Sequence, residues 1–178
     1  ADDSGATVYC AGVNFPDTQA ASADANTLDD YQEGTWSPVL TGSSNGACDE
    51  YDVQNGSFTR IGRFVHIQCH VSITNFNTTG TAVSGSETLT IAGLPFTPNN
   101  TNADYSASSP IRYGDLALPT STDNSAVIAG TIMAVTNKNS TVMTLLHYDS
   151  AAEASSLTAD EMSANGDLLF SISYEADD

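Results

Sequence analysis

The run from Arg63 to Ile73, RFVHIQCHVSI, alternates apolar and polar residues from Val65 onward. Val65, Ile67, Cys69, Val71 and Ile73 stand at one parity; Phe64, His66, Gln68, His70 and Ser72 stand at the other. Successive side chains on a strand point to opposite faces, so this run predicts a strand with one face in a core and one turned outward. The middle of the chain is thereby committed to a sheet buried on one side.

The rest of the sequence supplies more strands and little else. TWSPVL (Thr35 to Leu40) reads as a first strand, with Pro38 marking an edge. SFTRIG leads into the central run, and ETLTIAG is closed by GLPFTP, whose prolines cannot donate to a ladder. PIRYGDLAL, SAVIAGTIMAV and TVMTLLHY follow, the last two flanking a turn at Asn137-Lys138-Asn139. LLFSISY closes the set with Leu168, Phe170, Ile172 and Tyr174 on one face. GSSNGACDEYDVQNG reads as a long turn-rich segment because of Asn45-Gly46 and Asn55-Gly56. One helical signal exists: Thr158 and Glu161 have capping-box spacing, and Asn165-Gly166 reads as a stop, predicting at most two turns near 159–164. Roughly eight short strands between turn signals predict an antiparallel, jelly-roll-like β-sandwich. Strands and helices do not alternate, which excludes a parallel α/β fold.

Charge narrows the partners. The 178 residues carry 4 Lys and Arg against 22 Asp and Glu, a formal −18. Such a chain repels phosphate backbones and anionic bilayers, so neither nucleic acid nor membrane is expected as a partner. No apolar run approaches the roughly 18 residues that span a bilayer. The first residues, ADDSGATVYC, lack the basic start and apolar core of a secretory signal. Residues 1–27 are small and polar and bury too little to fold alone, which predicts an extended arm or linker ahead of a sandwich over residues 28–178.

The polar constellations are weak as chemistry. Asp24, Asn26, Asp29, Asp30 and Glu33 offer oxygens for calcium, but Leu28 interrupts the EF-hand spacing, and a solvated acidic turn at the start of the domain is the simpler reading. His66 and His70 share a face yet stand about 13 Å apart along a strand, too far to chelate one ion. They would meet their own copies only at a symmetry axis. Cys10, Cys48 and Cys69 fit no zinc or redox spacing; Cys69 belongs to the buried parity, and pairing of Cys10 with Cys48 stays open. There is no G-x-S-x-G elbow and no cysteine in a catalytic context. No metal, cofactor or catalytic residue is therefore expected. Sequons at Asn55, Asn77, Asn99 and Asn139 fall in expected turns, where a glycan would have room.

For ligand recognition, aromatic side chains in polar loops are the useful ones. Tyr51 and Tyr105 are the surface candidates, with Asn77, Asn99 and Asn100 as amide partners, because sugar sites join an aromatic platform to amide and carboxylate groups.

The order of the motifs is itself informative. ANTLDDYQEGTWSPVLTG, YDVQNGSFTRIGRFVHIQCHVSI, TLTIAGLPFTP and LTADEMSANGDLLFSISY together resemble the C-terminal head domain of tail fibres and capsid fibres of tailed bacterial viruses. The resemblance runs from about Phe15 to Tyr174. It implies a homotrimeric, non-enzymatic sandwich on a virion surface appendage. Such a head contacts a host-surface glycan or protein and joins other virion proteins through its N-terminal arm. Two readings stand beside it: a purely structural neck, tail or capsid-decoration component, and a secreted carbohydrate-binding module.

Overall fold

Pro38 divides the stretch expected as one strand. The chain pairs as β1 (Tyr31–Trp36), leaves the ladder at Ser37 and Pro38, and resumes as β2 (Val39–Gly42) in a different sheet. A residue with no N–H suits the point where the backbone changes layers. The structure, a computed structural model, describes residues 11–12, 31–44, 46–48, 50–75, 83, 86–100, 111–116, 131–148 and 154–177. Most of the expected arm, Tyr105, Asn77, Cys10, and Asp24, Asn26, Asp29 and Asp30 of the acidic turn lie outside them.

The segment expected to be turn-rich is instead half strand. β3 (Glu50–Ile61) runs unbroken through Asn55-Gly56 and pairs with β1 on one side. On its other side it pairs with β4 (Phe64–Asn75), through a tight turn at Gly62 whose φ of 57° suits glycine. The turn signal loses because Gly56 sits under a tryptophan: a Cβ there would collide with the Trp36 indole. The same device recurs two residues along, where the Phe58 ring covers Gly34. The acidic knot is corrected too, since Tyr31 and Glu33 belong to β1 rather than to an entrance turn.

The remaining strands are β5 (Leu89–Ala92), β6 (Arg112–Leu116), β7 (Ile132–Thr136), β8 (Val142–Tyr148), β9 (Ala154–Ser156) and β10 (Met162–Glu175). They form two antiparallel sheets, ordered β1-β3-β4-β10-β6 and β2-β5-β8-β7, with β9 added beside β8. The hairpin at Asn137-Lys138-Asn139 forms as expected, and Asn139 takes φ 51°. The helical signal shrinks to one 3-10 turn, Ala159–Glu161. There the Glu161 carboxylate accepts from the Thr158 N–H at 2.7 Å and from its hydroxyl at 3.0 Å. Asn165-Gly166 is no helix stop. It lies within β10, where the register against β6 shifts and Met162 packs over Gly166.

Between the sheets the expected parity holds. Val65, Ile67, Cys69, Val71 and Ile73 of β4 and Leu168, Phe170, Ile172 and Tyr174 of β10 are buried against Leu40, Leu89, Ile91, Met143 and Leu145 of the other sheet. Each of the Val, Leu, Ile, Phe and Met side chains among them contributes about 1.5–3 kcal/mol by leaving water, and the all-β sandwich is held by its inner faces. Polar groups in the core have partners. Arg60 is 6% exposed; its Nε–H donates to the Gly62 carbonyl at 2.7 Å and its guanidinium lies 4.7 Å from the Phe96 ring centroid. Phe96 in turn meets Phe58 edge-on at 5.2 Å, and its carbonyl accepts from the Tyr174 hydroxyl, so GLPFTP is pinned across the end of the core. Buried His147 stands 3.4 Å from Glu161 and ties the 3-10 turn to β8. Cys48 and Cys69 are both buried, and the Cys48 thiol donates to the Glu50 carbonyl at 3.4 Å. Burial pushes the Cys69 thiol up to about 12.

Candidate functional site

The strand register converts the outer face of the five-stranded sheet into an ordered set of cross-strand rows. At one end Tyr31, Ile61, Phe64 and Glu175 lie side by side on β1, β3, β4 and β10. The next rows are Glu33, Thr59, His66, Ser173 and then Thr35, Ser57, Gln68, Ser171. Beyond them come Asn55, His70, Leu169, Arg112 and finally Val53, Ser72, Asp167, Gly114. One face thus passes from a row of three exposed large side chains flanked by Glu175, which Arg63 pairs at 2.9 Å, through hydroxyl and amide groups to the Asp167 cluster.

The apolar end is exposed: Tyr31 is 38%, Ile61 43% and Phe64 53% accessible. Adjacent strands place these three together, and contiguous exposed apolar residues mark contact surfaces. The Tyr31 hydroxyl donates to Glu33 Oε2 at 2.7 Å, and that bond raises the phenol pKa.

The middle rows border a groove of about 810 Å³ that crosses all five strands. That volume lies within the range of sites for small ligands. Ser57 Oγ–H donates to Gln68 Oε1 at 3.2 Å, and among the described residues the Gln68 amide nitrogen has no partner within the chain. Trp36, Cys69 and Phe170 border the groove from beneath, with side chains in the core. The Trp36 Nε1–H donates to the Gln68 carbonyl at 3.1 Å, bracing the floor across β3.

At the charged end, Asp167 is the hub. Its Oδ1 is 2.9 Å from His70 Nε2, and its Oδ2 accepts from Arg112 Nη1 at 2.7 Å. The carboxylate is 20% exposed, whereas the Arg112 side chain is 67% exposed, so the guanidinium is held through one terminal nitrogen while most of the side chain stays in solvent. His66 is engaged separately, its Nδ1 2.9 Å from Ser173 Oγ. The two histidines therefore stand in different rows with different partners. Among the described residues no group of three or more His, Cys, Asp or Glu is arranged to hold a metal ion.

The outer face of the second sheet has the opposite character. Val39, Thr41, Thr90, Ala92, Met133, Val135, Val142, Thr144 and Leu146 are half-buried, and none is charged. Thr41 and Thr90 share a 2.6 Å hydroxyl contact, and Asn137 Nδ2 donates to Thr144 Oγ at 3.0 Å.

The residues singled out from sequence fall in diverse places. Tyr51 is in β3, not a loop; it is half-buried, and its hydroxyl accepts from the Leu40 N–H at 2.9 Å, joining the two sheets. Asn99 is 7% exposed and Asn100 is exposed. The expectation of room for a glycan at Asn99 is corrected by that burial, because its backbone N–H is drawn to the Glu175 carbonyl. Asn55 and Asn139 are exposed. His70 lines the groove and His66 does not. Arg112, Asp167, Leu169 and Ser171 were missed. With 4 Lys and Arg in the chain, the position of each cation was the signal that pointed to Arg112.

No protein-family model matches the chain, and no curated protein matches it either. Among solved structures, the crystal structure of the Dettilon tailspike protein (gp208) is similar, with a TM-score of 0.62 and 19% identity. The match covers 83% of this chain and 24% of the tailspike chain, so this chain spans about a quarter of that protein. The two share a fold.

Proposed function

We propose that this chain is a non-enzymatic domain of a bacteriophage tail-associated appendage and that it attaches the particle to the host surface. The observation that carries the reading is the graded outer face of the β1–β6 sheet, with an exposed aromatic and aliphatic contact end, a polar groove and the Arg112–Asp167 ion pair at its rim, on a fold shared with a tailspike protein. The groove face meets the host. The row of Tyr31, Ile61 and Phe64, beside the point where the chain enters β1, meets other virion proteins.

The domain assembles as a homotrimer. Each copy carries −18, so copies approach most easily through a surface without charge. The outer face of the β2–β7 sheet is such a surface among the described residues. This packing leaves the groove facing outward.

Immunogold labelling of intact particles, with binding of fluorescent protein to host cells, tests the reading. Label on an external tail or fibre structure together with saturable cell binding is the expected result. Label on the neck or capsid with no cell binding would favour the purely structural role instead.

A further inference from the structure

We infer that the groove across the β1–β6 sheet is a site for a neutral saccharide. Arg112, Gln68 and Ser171 would hydrogen-bond its hydroxyls, and Leu169 would pack against the apolar face of a sugar ring. The inference rests on the attachment reading and gives its ligand a chemical class.

Three features select that class. First, the wall is made of short uncharged donors and acceptors: the Gln68 amide nitrogen, freed by the bond its oxygen takes from Ser57, with the hydroxyl of Ser171 directly opposite Gln68 on β10. Closely spaced groups of both kinds match a ligand that is itself both donor and acceptor at every carbon. Second, Leu169 is 39% exposed amid these polar groups, between His70 and Arg112. A leucine so placed gives a polyol's C–H face something to cover, whereas an ion would gain nothing from it. Third, the charge at the rim is already balanced. Asp167 binds both Arg112 and His70, so the guanidinium offers directed N–H donors without an unbalanced charge. In a chain of −18, an acidic ligand would meet the field of the whole molecule, and one neutralised arginine does not offset it.

The test uses the full chain on a printed array of neutral oligosaccharides (dextran and mannan series) beside polygalacturonate, with Trp36 fluorescence as a solution readout because this single tryptophan borders the groove. The expected result is saturable binding to at least one neutral glycan and none to polygalacturonate. Arg112→Gln and Ser171→Tyr should each weaken that binding about tenfold or more. Ser171 faces outward, so the tyrosine fills the groove without entering the core, and an unchanged melting temperature checks this. The inference is overturned by binding to polygalacturonate alone, by retention of binding in both variants, or by silence across the array. Silence on the array with continued cell binding would remove the saccharide and leave the attachment reading standing. Loss of both would remove the two together.

Discussion

Trp36 and Gly56 are cross-strand partners, and the indole of the first fills the space where a side chain on the second would stand. Phe58 and Gly34 repeat the arrangement with the strands exchanged. The motifs QEGTW and QNGSF are thus two halves of one packing device in which each ring covers the glycine opposite.

That device predicts a specific cost. Gly56→Ala places a methyl group against the indole and should destabilise the domain by about 1–3 kcal/mol, the usual range for overpacking. Denaturant unfolding followed by Trp36 fluorescence measures it. The native spectrum should shift to longer wavelength as the ring loses burial. An unchanged midpoint would show that the indole moves aside freely.

Tyr51 separates structure from recognition. Its hydroxyl accepts from the Leu40 N–H across the two sheets. Tyr51→Phe keeps the ring and removes that acceptor, so stability should fall by about 1–2 kcal/mol through an unmet backbone donor. Thermal unfolding checks the cost, and cell binding by the same variant shows whether the hydroxyl serves a ligand as well.

Much of this architecture was legible in the sequence. β4 and β10 were visible because their apolar residues recur at every second position, and the buried parity is the expected one, with Phe64 and Leu169 the apolar exceptions on the outward face. β3 was hidden because Asn55-Gly56 is a strong local turn signal, and only the distant Trp36 explains why glycine is needed in a strand there. The capping box was legible as chemistry but not in length, since β10 begins at once after it. The site was half visible. The parity of β4 placed Gln68 and His70 outward, but Asp167 lies 97 positions from His70 and 55 from Arg112. Such pairs are created by strand order, which local patterning does not encode.

Stability should fall in alkali. The Cys69 thiol is pushed from 9.0 up to about 12 by burial. Its folded value lies above its unfolded one, so its contribution is fully present below pH 9 and is lost between about pH 9 and 12. The buried Tyr174 phenol is raised as well, by burial. Urea midpoints measured from pH 8 to 11 should decline, and Cys69→Ala should flatten part of that decline. A profile as steep in the variant as in the parent would assign the loss elsewhere.

Assembly and charge are linked in the same way. Three copies at −18 carry a formal −54, and salt screens repulsion between them. Sedimentation should report a particle of about 55 kDa, three times the 18.5 kDa chain, with a melting temperature that rises as salt increases from low ionic strength. Val135→Glu, on the uncharged face, should yield folded monomer. A wild-type monomer at micromolar concentration would reject the trimer.

The central claim is that the groove face of this domain meets the host, and competition for adsorption tests it most directly. Host cells preincubated with the purified domain should take up fewer virions as its concentration rises, and the Ser171→Tyr variant should lose that inhibition. Virion adsorption that stays constant at saturating domain, with the protein folded and trimeric, would contradict the account.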